Sequence, residues 1–167
     1  MSDIERLRRV RLFRGLSDDL LKEIAAIVRP DEAPANRVII QEGAAGDTLY
    51  ILLEGKVQVS RMLTLKVGSR AFEERDKAFV VLDGADCPAF GEMSLIDRSP
   101  RSATVSSITP CKLLVITKED FEALCNKNHT IGFYLLRNMA EDLSSLVRRS
   151  NADLLKLTTA LSIALSR

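Results

Sequence analysis

Apolar residues recur first at helical spacing, then in short runs separated by glycine, then at helical spacing again over a long final stretch. Residues 3–14 suit a short helix ending near Gly15. Ser17 follows as an N-cap, with Asp18 and Asp19 in the first turn, where carboxylates complement the helix dipole. Leu20, Leu21, Ile24, Ile27 and Val28 carry the helical period to Pro30. From residue 37 the pattern shortens. Val38-Ile39-Ile40 and Thr48-Leu49-Tyr50-Ile51-Leu52-Leu53 are strand candidates, with Gly43, Gly46-Asp47 and Glu54-Gly55 at the turns between them. Val57, Val59 and Arg61 continue with some alternation, and residues 78–82, 103–108 and 112–117 add further strands. The polar stretch from Gly68 to Asp76 reads as an exposed hairpin tip.

Helical signals return at Lys118-Glu119-Asp120, with a short helix over 119–126. Beyond Thr130, Leu143, Leu146, Ser150, Leu154, Leu157, Leu161 and Ala164 follow steps of three and four along one face of a long helix. This order predicts an α+β fold: an antiparallel β-roll, jelly-roll-like, flanked by N-terminal helices and a long C-terminal helix. The expected division is residues 1–130 for the β-roll with its N-terminal helices and 131–167 for the long helix. The first half of that helix is expected on the β-roll and the second half on another copy, giving a homodimer; a helix packed wholly within its own chain is the alternative.

Composition narrows the function classes. An apolar fraction of 46% is ample for a core, and a formal net charge of +1 argues against a broad nucleic-acid surface. Arg6, Arg8, Arg9, Arg11 and Arg14 do crowd the N-terminus, and a solvated helix face is favoured there over a nucleic-acid or anionic-lipid patch. Cys87, Cys111 and Cys125 lack both a CxxC pair and zinc-ligand spacing, so reduced thiols are expected and no metal site. His129, the sole histidine, reads as a turn residue. No apolar stretch approaches the ~20 residues of a membrane helix, so a cytoplasmic chain without membrane insertion is expected. Neither a catalytic Ser/His/Asp set nor a P-loop nor a dinucleotide fingerprint is found, which argues against an enzyme.

Chemistry concentrates in residues 90–105. A single helical turn is expected over residues 93–96, and a helix start presents N–H groups suited to an anion. Gly91 permits close backbone approach, Pro100 stiffens the path to Arg101, and the arginine fork matches two phosphate oxygens. Glu92 makes a bare phosphate a poor ligand, because a carboxylate only accepts hydrogen bonds and repels anions. It becomes useful if it receives a hydroxyl, such as a ribose 2′-OH. A 3′,5′-cyclic nucleotide joins both groups in one fused ring. Taken alone, a Glu92–Arg101 ion pair bracing the loop is the competing explanation.

The arrangement Phe90-Gly91-Glu92-Met93-Ser94-Leu95, then Arg101-Ser102-Ala103-Thr104-Val105, resembles the phosphate-binding cassette of the cyclic-nucleotide-binding domain family. That family includes catabolite activator proteins, regulatory subunits of cAMP-dependent kinase and nucleotide-gated channels. Residues 12–17, the turn and strand at 43–52, and Gly55-Lys56-Val57 are similar to its other signatures. The resemblance implies that Glu92 takes the 2′-OH, that Arg101 pairs the phosphate, and that the N–H groups of Ser94 and Ser102 cradle it. Gly91 and Met93 complete the expected ligand-binding set, and Arg148 is a candidate to cover the base. Ser94 departs from the usual alanine, a change read as mild because the backbone does the binding. Gly43, Gly46 and Gly55 are read as turn residues. The implied ligand is cAMP in preference to cGMP, although Ser102 could mimic the threonine that accompanies cGMP preference in eukaryotic relatives. The implied role is a sensor that signals by repositioning its C-terminal helix. Direct DNA binding is not expected, since residues 151–167 read as one helix. A scaffold domain that has lost nucleotide binding is the alternative, and the intact cassette argues against it.

Overall fold

In the computed structural model, residues 3–67, 71–97 and 99–165 are described, with backbone alone along 62–67 and 71–79. In chain order the elements are α1 (Asp3–Arg9), a 3-10 turn (Arg11–Phe13), α2 (Asp18–Ala25), β1 (Arg29–Ala33), β2 (Val38–Ile40), β3 (Thr48–Glu54) and β4 (Lys56–Val67). There follow β5 (Ala71–Asp83), a second 3-10 turn (Gly84–Asp86), β6 (Ala89–Phe90), α3 (Met93–Ile96), β7 (Thr104–Ser107), β8 (Cys111–Thr117), α4 (Lys118–Lys127) and α5 (His129–Leu165). The strands form two four-stranded sheets ordered β1-β8-β3-β6 and β2-β7-β4-β5, with every pairing antiparallel.

The apolar run in β3 follows from burial on both of its faces. Successive side chains of a strand point to opposite sides. Leu49 and Ile51 join the layer made with the helices, together with Leu21, Ile24, Phe121 and Leu135. Leu52, with Tyr50 against it, joins the core between the sheets, beside Val57, Phe90, Val105 and Leu113. Each fully buried side chain of this size contributes roughly 1.5–3 kcal/mol.

The helical layer is fastened to α5 by a polar contact. Ile131, Leu135 and Met139 pack into the core from α5, and Asn138 between them is 1% exposed. Its Nδ2 donates to the carbonyls of Leu12 at 2.8 Å and Arg14 at 2.9 Å. A buried carbonyl stripped of its donor costs about 1–3 kcal/mol, so this one amide ties the N-terminal turn to α5. Towards its C-terminal end α5 exposes its apolar side chains among the described residues: Leu154, Leu157 and Leu161 are 63%, 69% and 59% exposed.

Several elements differ from the expectation. The first helix ends at Arg9, because Val10 turns into the core at 1% exposure with extended backbone before the 3-10 turn. Ser17 sits at the N-cap of α2, but its side chain makes no capping bond. Strand β1 was not anticipated; Pro30 lacks an N–H, and β1 lies at a sheet edge where that is tolerated. The ladder of β4 and β5 reaches Val67↔Ala71, so most of the expected hairpin tip is strand, while Gly68, Ser69 and Arg70 lie outside the described residues. His129 opens α5, two residues before the expected start of the long helix, with Nδ1 3.2 Å from the Cys125 carbonyl. Among the described residues, no helix is long and apolar enough to cross a membrane.

The N-terminal arginines Arg8, Arg9, Arg11 and Arg14 are exposed, as expected, and form surface pairs. Arg8 pairs Asp18, Arg14 pairs Glu141, Arg9 donates to the Ala85 carbonyl, and Arg11 reaches Asp142 at 2.6 Å.

Candidate ligand-binding site

Strand β6 delivers Phe90, whose ring stacks on Tyr50 with centroids 5.5 Å apart. Gly91 then takes φ +83°, the left-handed region that glycine enters at no steric cost. Glu92 precedes the single turn of α3 without a side-chain capping bond, and the chain returns through Pro100 and Arg101 to β7. Two backbone bonds pin the return to the turn before β3: Arg101 N–H donates to Ala44, and Gly43 N–H donates to Arg101, both at 2.9 Å.

The Arg101 guanidinium is held from several sides. Nη1 donates to the Gly91 carbonyl at 3.0 Å and to Ser94 Oγ at 2.7 Å. Nη2 donates to the carbonyl and to the hydroxyl of Thr48, both at 2.9 Å. Two glycines make room for it. A Cβ at Gly46 would stand 2.1 Å from Nε, and one at Gly91 would stand 2.7 Å from Nη1. Gly46, read from the sequence only as a turn residue, therefore also leaves room for Arg101. Burial pulls the Arg101 pKa down, while Tyr50, Asp47 and Glu92 push it back up. It stays cationic at neutral pH.

Gly91, Glu92, Met93, Ser94, Arg101 and Ser102 all line one cavity of about 160 Å³, with Ile40, Val59 and Phe90 among its apolar walls. The six cassette residues expected to bind ligand are thus brought together. Arg101 makes no hydrogen bond to Glu92 and is held by other acceptors. A second cavity of about 600 Å³ lies between the β-roll and α5, and shares Glu92, Met93 and Asp97 with the first. Arg148 does not line either cavity; its Nη2 reaches Ser145 Oγ, on the same helix, at 3.3 Å. Arg149 lines the second cavity instead, with Leu143 and Leu146. Leu143 and Leu146 were visible in the helical period, but the stripe read there continues through Ser150 and does not include Arg149. The parts played by Thr48 and Gly46 were not visible, because their contact with Arg101 spans about half of the domain in sequence.

Burial raises the pKa of the Glu92 carboxyl. A bond from its own backbone lowers it, the charge of Asp142 on α5 raises it, and Arg101 lowers it. Burial is the largest of these causes, so the carboxyl titrates above the usual glutamate range. Ionised, Glu92 is an acceptor at the mouth of a cavity that also holds a cation, which suits a ligand carrying both a hydroxyl and an anion.

The sequence profile of the family described as "Cyclic nucleotide-binding domain" matches residues 30–128, more than half of the chain. A cyclic nucleotide-gated potassium channel of Mesorhizobium japonicum is 35% identical over 123 residues, covering 74% of this chain and 30% of the channel. A CRP-like cAMP-activated global transcriptional regulator of Mycobacterium tuberculosis is 28% identical over 153 residues, covering 92% of this chain and 62% of the regulator. The chain therefore spans less than two thirds of either relative. Among solved structures, the catabolite activator protein of Thermus thermophilus is similar with a TM-score of 0.74 and 26% identity, over 89% of this chain and 63% of that one.

The raised Glu92 carboxyl is open to direct measurement. A carbon-detected NMR titration is expected to give Glu92 a pKa above the other glutamates, moving downward in Asp142→Asn, which removes a neighbouring negative charge. A Glu92 pKa at the ordinary value would contradict the burial described.

Proposed function

The chain belongs to the cyclic nucleotide-binding domain family, and we propose that it is a sensor module that binds a 3′,5′-cyclic nucleotide, cAMP in preference to cGMP, and reports it through α5. The observation that carries this reading is the convergence of Glu92, Ser94, Arg101 and Ser102 on one cavity. Ionised Glu92 accepts the ribose 2′-OH, and protonation weakens that acceptor. Affinity for the nucleotide therefore falls as pH drops through the raised Glu92 pKa. Arg101 pairs the phosphate oxygens outside the ring, and the N–H groups of Ser94 and Ser102 complete the cradle. Preference for cAMP draws on the cAMP-activated relative.

The base extends towards the larger cavity, where α5 presents Leu143, Leu146 and Arg149. A ligand shifts a conformational equilibrium only by its differential affinity for the two states. Contacts between base and α5 supply that difference, because the site and the helix share this cavity. The exposed stripe at Leu154, Leu157 and Leu161 supports a homodimer, with this half of α5 against the same helix of a second copy. The ion pairs and hydrogen bond that occupy Arg8, Arg9, Arg11 and Arg14 support a module without a nucleic-acid surface at its N-terminus. The reading is of a module that holds its ligand and does not transform it.

Truncating one partner of a desolvated charge pair costs roughly 2–5 kcal/mol. Arg101→Ala is therefore expected to weaken cAMP binding by about 30-fold to several-thousand-fold in calorimetric titration, with circular dichroism unchanged. Equal affinity in the variant would remove the role given to Arg101. Hydrogen exchange tests α5 in two parts. Residues 131–150 are expected to gain protection when cAMP is added. Residues 151–165 are expected to be protected with or without it, because a lone solvated helix of that exposure exchanges fast. Unchanged exchange over 131–150 would refute signalling through α5, and fast exchange over 151–165 would refute the dimer.

A further inference from the structure

The two terminal nitrogens of an arginine carry four hydrogens. Around Arg101 they meet four protein acceptors: Gly91 O, Ser94 Oγ, Thr48 O and Thr48 Oγ1. A phosphate oxygen that takes an Nη hydrogen must therefore displace one of them. Resting on the nucleotide-binding reading, we propose that the Ser94 hydroxyl is a positioning residue that competes with the phosphate for Arg101 and so sets the affinity for cyclic nucleotide.

The acceptors differ in how readily they give way. The two carbonyls belong to backbone, and Thr48 is β-branched, which stiffens its χ1. Ser94 is free of that restriction. Its contact with Nη1, at 2.7 Å, is the shortest of the four. Its own hydrogen is donated to the Gly91 carbonyl at 2.8 Å, so Oγ offers Arg101 a lone pair. The same lone pair would repel a phosphate oxygen approaching Nη1. The remaining three acceptors still orient the planar guanidinium, so loss of the hydroxyl frees a donor without releasing the group. Ser94 is 4% exposed, and its hydroxyl lies inside the cluster that holds Arg101. The side chain thus matters here, beyond the backbone role expected from the sequence.

The test is Ser94→Ala, titrated calorimetrically with cAMP and with cGMP beside the wild-type chain. The variant is expected to bind both about 10- to 100-fold more tightly, the worth of one hydrogen bond to a charged group released to the ligand. Equal or weaker binding by the variant, with wild-type binding intact, would overturn the proposal and leave the functional reading standing. Failure of the wild-type chain to bind either nucleotide would overturn both. A second readout needs no nucleotide. In arginine-selective NMR, the Arg101 Nη1 hydrogens are expected to be resolved and slowly rotating in the wild type and averaged in Ser94→Ala, while those of Nη2, which keep both Thr48 acceptors, stay resolved. Identical spectra would break the link from Ser94 to Arg101 and overturn the proposal.

Discussion

A guanidinium drawn partly out of water must be ringed by acceptors, and the local structure around Arg101 follows from that demand. Its partners come from separate parts of the chain: Thr48 at the start of β3, Gly91 after β6, and Ser94 in α3. The ring closes only where backbone comes within hydrogen-bonding distance, so Gly46 and Gly91 stand where any Cβ would collide with the arginine. The two backbone bonds between Arg101 and residues 43 and 44 fix the same approach from the other side. The β-roll thus serves as a frame that brings short segments, distant in sequence, around one charge.

Glu92 has the opposite problem. It is a carboxylate in a poorly solvated position, with Asp142 of α5 adding to the cost of its charge and Arg101 relieving it. Asp142 is itself paired with Arg11, which opens the turn that Asn138 fastens to α5. The site and the long helix are therefore linked electrostatically through Asp142 and by packing through Met139. The helix that carries Asp142 continues into an outer half that is exposed among the described residues. That one helix both borders the larger cavity and continues beyond the β-roll.

Much of this was legible in the sequence. Val38–Ile40, β3 and β8 announced themselves as β-rich runs, and the cassette from Phe90 to Val105 showed its residue types in order. What escaped was tertiary. Strand β1 carries Pro30 and three charged residues, and forms because β8 offers it an edge, not because its own pattern asks for it. Val10 breaks the first helix because the core needs its side chain. The N-terminal arginines are solvated, as the sequence reading favoured, but their ion-pair partners, as far away as Glu141 and Asp142, could not be read from it. Arg149, rather than Arg148, borders the larger cavity, a difference of about 100° around the helix. Ser94 looked like a mild exchange for alanine until its hydroxyl was seen on Arg101.

The central claim is that Glu92 and Arg101 grip the hydroxyl and the phosphate of one fused ring, and its most direct test removes the hydroxyl from the ligand and the carboxylate from the protein together. cAMP and its 2′-deoxy analogue are titrated against the wild type and Glu92→Gln. The wild type is expected to lose about 10- to 100-fold in affinity for the deoxy analogue, the range of a hydrogen bond to a charged group, while Glu92→Gln distinguishes the two ligands far less. Equal losses in both proteins, or no loss in the wild type, would contradict it.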